Sequence, residues 1–187
     1  DKLEAGELSR QIRLMHEAGI GGFFMHARGG LLTEYMSEDW FNLTKGCIHD
    51  AGQLNMNAWA YDENCWPSGF GNGAVNGLGV RYQQKYLRCI ETPGNRLESI
   101  DHFIAAYTPD GRLLEKEAAA NTDRILVCYY DVNPYYVDTL DAEVTRKFIE
   151  IVYADYHQKL SETERRGLKG FFTDEPQISR NGIPWSF

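Results

Sequence analysis

Two short stretches carry the residue types that do chemistry, and both place them in the same way. Asn57-Ala58-Trp59-Ala60-Tyr61 is an apolar, aromatic run that ends in Asp62-Glu63-Asn64-Cys65-Trp66 and a Pro67-Ser68-Gly69 turn. Gly170-Phe171-Phe172 repeats the plan and ends in Thr173-Asp174-Glu175-Pro176. A carboxyl at the tip of a buried strand, beside a second acid and ahead of a rigid proline, is partly desolvated and can protonate a leaving oxygen, which makes Glu175 the first candidate acid. Asp62 and Glu63 are the second acidic pair. Four carboxyls on one rim would serve acid and base roles, grip sugar hydroxyls, or hold a hard cation such as calcium. The plain alternatives are that Asp174 and Glu175 cap a helix or pair with an arginine, and that Asp62 and Glu63 cap the next turn.

A third tip follows Ile20 to Met25, where His26-Ala27-Arg28-Gly29-Gly30 closes an apolar run. His26 is either a structural hydrogen-bonding residue or a substrate contact, and Arg28 is able to fork onto a substrate oxygen or neutralise an acid. Trp66 is a stacking platform for a pyranose or a core plug. The Asn64 amide binds a hydroxyl or shapes its own loop. Ser68 has no GxSxG setting and so no nucleophile signature. One histidine at a tip makes no metal site, so no cofactor is expected beyond the calcium alternative.

Helices must position these tips. Leu8, Ile12 and Met15 mark one helical face, with Gly19 as its stop. Ser37 caps a second helix, with Glu38 and Asp39 in its first turn, Trp40, Leu43, Cys47 and Ala51 along one face, and Gly52 following. Asp141 caps a third, with Val144, Phe148, Ile151 and Val152 inward. Between the Asp62-Glu63 and Asp174-Glu175 tips the pattern changes. Residues 82–91, 103–108, 112–116 and 124–132 read as strands, with Pro109-Asp110-Gly111 as a turn and no helix of useful length.

Alternating helices and wholly apolar strands with polar C-terminal ends predict an α/β protein with a parallel sheet. A (β/α)8 barrel of TIM type is favoured over a doubly wound sheet because no glycine-rich phosphate loop follows the first strand. The expected organisation is a first barrel segment over 1–80, a small antiparallel β insertion over 81–138, and a second barrel segment over 139–187 whose last residues, 177–187, are loop. What lies outside the insertion is about half of the roughly 250 residues a complete barrel uses, so the expectation is an N-terminal half-barrel. Such a piece alone would be inactive and poorly stable, with open strand edges.

Composition narrows the partners. A formal charge of -8 with no Lys/Arg cluster argues against nucleic acid. No apolar run reaches the roughly 18 residues of a membrane span, so no membrane partner is expected. Tyr and Trp number 11 and 4, a supply of rings with polar handles that suits sugar binding as well as core packing. The cysteines, Cys47, Cys65, Cys89 and Cys128, have no CxxC spacing and are expected as free, mostly buried thiols.

Three motifs together resemble a known group. Gly-Ile-Gly-Gly-Phe-Phe-Met-His-Ala-Arg-Gly-Gly-Leu (19–31), Ala-Tyr-Asp-Glu-Asn-Cys-Trp-Pro-Ser-Gly-Phe (60–70) and Gly-Phe-Phe-Thr-Asp-Glu-Pro-Gln (170–177) are similar to bacterial α-L-rhamnosidase-like glycoside hydrolases related to glycoside hydrolase family 106. The resemblance implies the catalytic barrel of a large multidomain enzyme acting on plant or microbial polysaccharide. It also implies an earlier strand, later strands and accessory domains as partners of this segment. By that similarity Glu175 is the acid. The residue reading adds Asp62 or Glu63 as a carboxylate that positions water or binds sugar hydroxyls, the alternative being a partner carboxylate from the rest of the barrel, with His26, Arg28, Trp66, Asp174 and Asn64 contacting an oligosaccharide or polysaccharide substrate. The alternative is a non-catalytic carbohydrate-binding barrel.

Overall fold

The computed structural model describes residues 2–180 and 182–187. In chain order the elements begin with α1 (Ala5–Glu17), β1 (Gly22–Met25), α2 (Glu38–Gln53) and β2 (Asn57–Tyr61). An antiparallel section follows, with β3 (Gln83–Thr92), β4 (Phe103–Tyr107), β5 (Leu113–Leu114), α3 (Lys116–Ala120) and β6 (Ile125–Val137). The chain then runs through α4 (Ala142–Phe148), a π turn (Ile149–Tyr153), α5 (Ala154–Lys159), α6 (Glu162–Gly167), β7 (Leu168–Phe172) and β8 (Ile183–Trp185). These form two compact units, one of residues 1–75 with 143–176 and the other of residues 76–142 with 177–187.

The first unit is built on a parallel sheet in the order β1-β2-β7. Side chains alternate across it, so Met25, Ala58 and Ala60 are buried on one side. Phe171, opposite Ala60, packs edge-on against Tyr156 of α5 on that same side. α2 starts where Ser37 Oγ accepts the Trp40 N–H at 3.2 Å, and it buries Trp40, Phe41, Thr44, Cys47, Ile48 and Ala51. Leu43, expected inward, is half-buried, and Gly52 lies inside the helix; the reversal is made by Asn55 at φ +52 instead. The third helix is interrupted by its π turn, which shifts the inward face, so that Val152 and Tyr156 are buried while Ile151 is half-buried. Gly167 is required at the end of α6, because a Cβ there would lie 2.5 Å from Ile48 Cγ2.

The opposite side of this sheet has another character. Phe24, Trp59, Tyr61 and Phe172 share it, and their rings touch in sequence, with centroids 5.9 Å apart for Phe24 and Trp59, 5.5 Å for Phe24 and Phe172, and 5.6 Å for Tyr61 and Phe172. Phe24 is 54% exposed and Phe172 42%. The Trp59 ring lies over Gly170, where a Cβ would come within 2.7 Å of it.

The second unit is a five-stranded antiparallel sheet ordered β5-β4-β6-β3-β8. Leu97, Ala106, Ala119, Ile125 and Val127 make its core beneath Phe103 and Leu114. The buried Lys85 ammonium donates to the carbonyls of Arg81 and Gln83 and meets Asp138 at 3.2 Å. Residues 177–187, expected as loop, contain β8, which pairs Lys85 with Trp185 and Leu87 with Ile183. Three residues are too few for a periodic signal, and only the free edge of β3 makes them a strand. The return strand expected over 112–116 is two residues long and gives way to α3, and β6 continues to Val137. All four cysteines are free thiols, but only Cys47 is buried; Cys65 and Cys128 are intermediate and Cys89 is exposed. The whole is a mixed α/β structure with one parallel and one antiparallel sheet and no closed barrel among the described residues. No helix among them is long and apolar enough to cross a membrane.

Candidate functional site

Because β1, β2 and β7 are parallel neighbours, their C-terminal ends share one rim. The ladder extends past β2, with the Asp62 N–H donating to the Phe172 carbonyl at 3.2 Å. Alternation then decides each acid. Asp62 continues the parity of Ala58 and Ala60 and turns to the buried side, where it is fully enclosed. Its Oδ1 accepts the Ser68 hydroxyl at 2.5 Å, and its Oδ2 accepts Tyr153 at 2.7 Å and Thr173 at 2.6 Å. Burial pushes Tyr153 up to about 12, with Asp62 adding to the rise and Thr173 opposing it, so the phenol remains a donor at neutral pH. Ser68 also accepts the Asp174 N–H through its Oγ and donates its own N–H to the Asp174 carbonyl, both at 2.9 Å. One buried carboxylate and one serine thereby fasten the tip after β2 to the tip after β7.

Glu63 is likewise fully buried. Its two oxygens accept the backbone N–H groups of Asn64 and Phe70 at 3.0 Å, Asn72 at 2.7 Å and Gly71 at 2.6 Å. Burial raises its pKa while these four amides work against the rise. It is the centre about which the 64–72 loop folds. Asp62 and Glu63, expected as catalytic carboxylates, make positional contacts here: each carboxylate oxygen accepts from at least one protein donor and is shielded from solvent. Among the described residues no group of three or more His, Cys, Asp and Glu is arranged to hold a metal ion.

The residues left at the rim are His26, Arg28, Trp66, Asp174 and Glu175. The His26 ring packs on Tyr61 with centroids 3.8 Å apart. Although His26 is exposed, partial desolvation of its ring lowers its pKa, the Arg28 guanidinium lowers it further and Asp174 acts in the opposite sense, which together favour the neutral imidazole. The Tyr61 hydroxyl reaches Asp174 Oδ2 at 3.5 Å, and burial pushes this phenol up to about 12. Asp174 is half-buried. Glu175, expected to be partly desolvated, is instead exposed, because it stands past the end of β7 where nothing among the described residues covers it, and it sits at φ +44, a left-handed conformation that non-glycine residues rarely adopt. Trp66 is 41% exposed on the loop held by Glu63. Asn64 donates its amide to Asn72 Oδ1 at 2.5 Å, which gives it a loop-shaping contact, while its own Oδ1 is buried without a hydrogen-bond partner among the described residues.

Sequence reasoning did not pick out Tyr61, Tyr153 or Thr173, and weighed Ser68 only as a nucleophile. The parity of β2 was the available signal for the inward turn of Asp62. Nothing local announces Tyr153 and Thr173, which lie 91 and 111 residues from the carboxylate they serve. Comparison of the chain with protein-family models, with curated proteins and with solved structures finds no match.

Proposed function

We propose that this chain is a segment of a (β/α) barrel glycoside hydrolase in which Glu175 is the general acid and Asp174 the neighbouring carboxylate that grips sugar hydroxyls. The observation that carries the reading is the parallel order β1-β2-β7, which gathers His26, Arg28, Tyr61, Asp174 and Glu175 on one rim. The open aromatic side formed by Phe24, Trp59 and Phe172 is what the interior of such a barrel presents before further strands close round it. The left-handed backbone of Glu175 also supports the assignment, since strain of this kind concentrates at functional sites.

In the proposed reaction Glu175 protonates the departing glycosidic oxygen, with neutral His26 and Arg28 contacting substrate oxygens. Asp62 and Glu63 hold the tips in place, and the partner carboxylate comes from a strand outside these residues. Trp66 offers an indole face to a sugar ring. The three-motif resemblance makes an α-L-rhamnoside the first substrate to try.

The test is Glu175→Gln in a protein that carries this segment with the strands that complete the barrel, assayed on aryl glycosides. Turnover should fall by two or more orders of magnitude with the melting temperature unchanged. Near-normal turnover would reject Glu175 as the acid. Sugar binding without any hydrolysis by the unaltered protein would favour a carbohydrate-binding barrel instead.

A further inference from the structure

Cys89 of β3 and Cys128 of β6 stand directly opposite each other in the antiparallel ladder. The type of pairing can be read from the neighbouring strand. The Tyr130 N–H donates to the His102 carbonyl at 3.2 Å, towards the β4 edge of β6. Backbone groups along a strand alternate between its two edges, so Cys128, two residues away, addresses that same edge and leaves its pairing with Cys89 free of backbone hydrogen bonds. In such a pair the Cα atoms lie about 4.5 Å apart and the side chains project together from one face. A disulfide spans Cα separations of about 4.4 to 6.8 Å, so the thiols can be joined with little movement of either strand. Cys89 is exposed and within reach of a soluble reagent, whereas Cys128 is partly covered.

We propose that Cys89 and Cys128 form a cross-strand dithiol that a low-molecular-weight disulfide converts to an intramolecular disulfide, making this pair an oxidation site of the antiparallel unit. The Cys89 thiolate attacks one sulfur of glutathione disulfide, forming a mixed disulfide and expelling a glutathione thiolate. The Cys128 thiolate then attacks the Cys89 sulfur and expels the second. The protein loses two electrons and its two thiol protons, and the reagent gains them as two molecules of glutathione. Burial and the contact with Cys89 both hold the Cys128 thiol above its ordinary range, which fits Cys89 as the first attacking sulfur. The new bond would close the chain around residues 90–127, the section that holds the Leu97, Ala106, Ala119 and Ile125 core. Cys47, buried with its thiol pushed up to about 11, lies in the other unit and is protected from the same reagent.

The experiment uses the protein purified under reducing conditions and then exposed to glutathione disulfide in native buffer. Free thiols should fall from four to two, and non-reducing peptide mapping should recover one cross-link, Cys89 to Cys128. Cys128→Ser should stop at a glutathione adduct on Cys89, which the unaltered protein does not retain, and Cys89→Ser should give no intramolecular cross-link. Four thiols remaining, a lasting adduct on Cys89 in the unaltered protein, or a cross-link involving Cys47 or Cys65 would each overturn the proposal.

Discussion

Replacing Asp62 separates the positional role of this carboxylate from a catalytic one. Its three hydroxyl donors come from Ser68, Tyr153 and Thr173, all at 2.7 Å or less. Hydrogen bonds to a charged acceptor contribute about 1.5 to 3 kcal/mol each. In Asp62→Ala the exposed Thr173 and half-buried Tyr153 regain water, and the cost of burying a charge disappears. Ser68, fully enclosed, regains nothing. The expected net loss is about 3 kcal/mol. Asp62→Asn keeps the acceptor for Ser68 and turns an amide towards two hydroxyls that can accept, so its loss should be about 1 kcal/mol. With a urea dependence of about 2 kcal/mol per molar, the midpoints should drop by about 1.5 M and 0.5 M respectively. A Trp185→Phe background leaves Trp40, Trp59 and Trp66, all in the first unit, as fluorescence reporters of its unfolding. Equal losses for the two variants, or a loss under about 1 kcal/mol for alanine, would refute the account of Asp62 as the fastening of two strand tips.

Other consequences follow from particular contacts. The His26 imidazole should titrate below its ordinary value by NMR, moving up in Arg28→Met and further down in Asp174→Asn, because these are the charges that face it. Since the folded form binds this proton less tightly than the unfolded chain, the His26 contribution favours folding above about pH 6.5 and is lost on acidification below it. His26→Asn should remove that part of the pH dependence. Lys85→Met should destabilise the antiparallel unit by about 3 to 5 kcal/mol, because Asp138 is left buried without its cation, and adding Asp138→Asn should recover a large part; no recovery in the double variant would contradict this. Gly94→Ala should cost about 3 kcal/mol or more, since its Cβ would fall 1.9 Å from the Ala119 carbonyl oxygen; denaturation followed by Trp185 fluorescence measures it.

Local pattern determined the repeating plan of this chain. Apolar runs at 20–25, 57–61 and 170–172 each end in polar residues and mark β1, β2 and the end of β7, and helical periodicity with Ser37 as cap marks α2, because strand alternation, helix phase and capping act over a few residues. The turn at Pro109-Asp110-Gly111 was legible for the same reason and is closed by the Gly111 N–H to Thr108 carbonyl bond at 2.8 Å. Tertiary structure decided the rest. Whether an acid at a strand tip meets solvent or three protein hydroxyls depends on which residues distant segments bring to it, so Asp62 and Glu63 became fastenings while Asp174 and Glu175 stayed at the rim. The strand at 183–185 exists because β3 had an edge to pair with, a fact carried by no residue within it. The facing of Cys89 and Cys128 has the same origin, since register between residues 39 apart in the chain is fixed by the packing of the whole sheet rather than by either sequence neighbourhood.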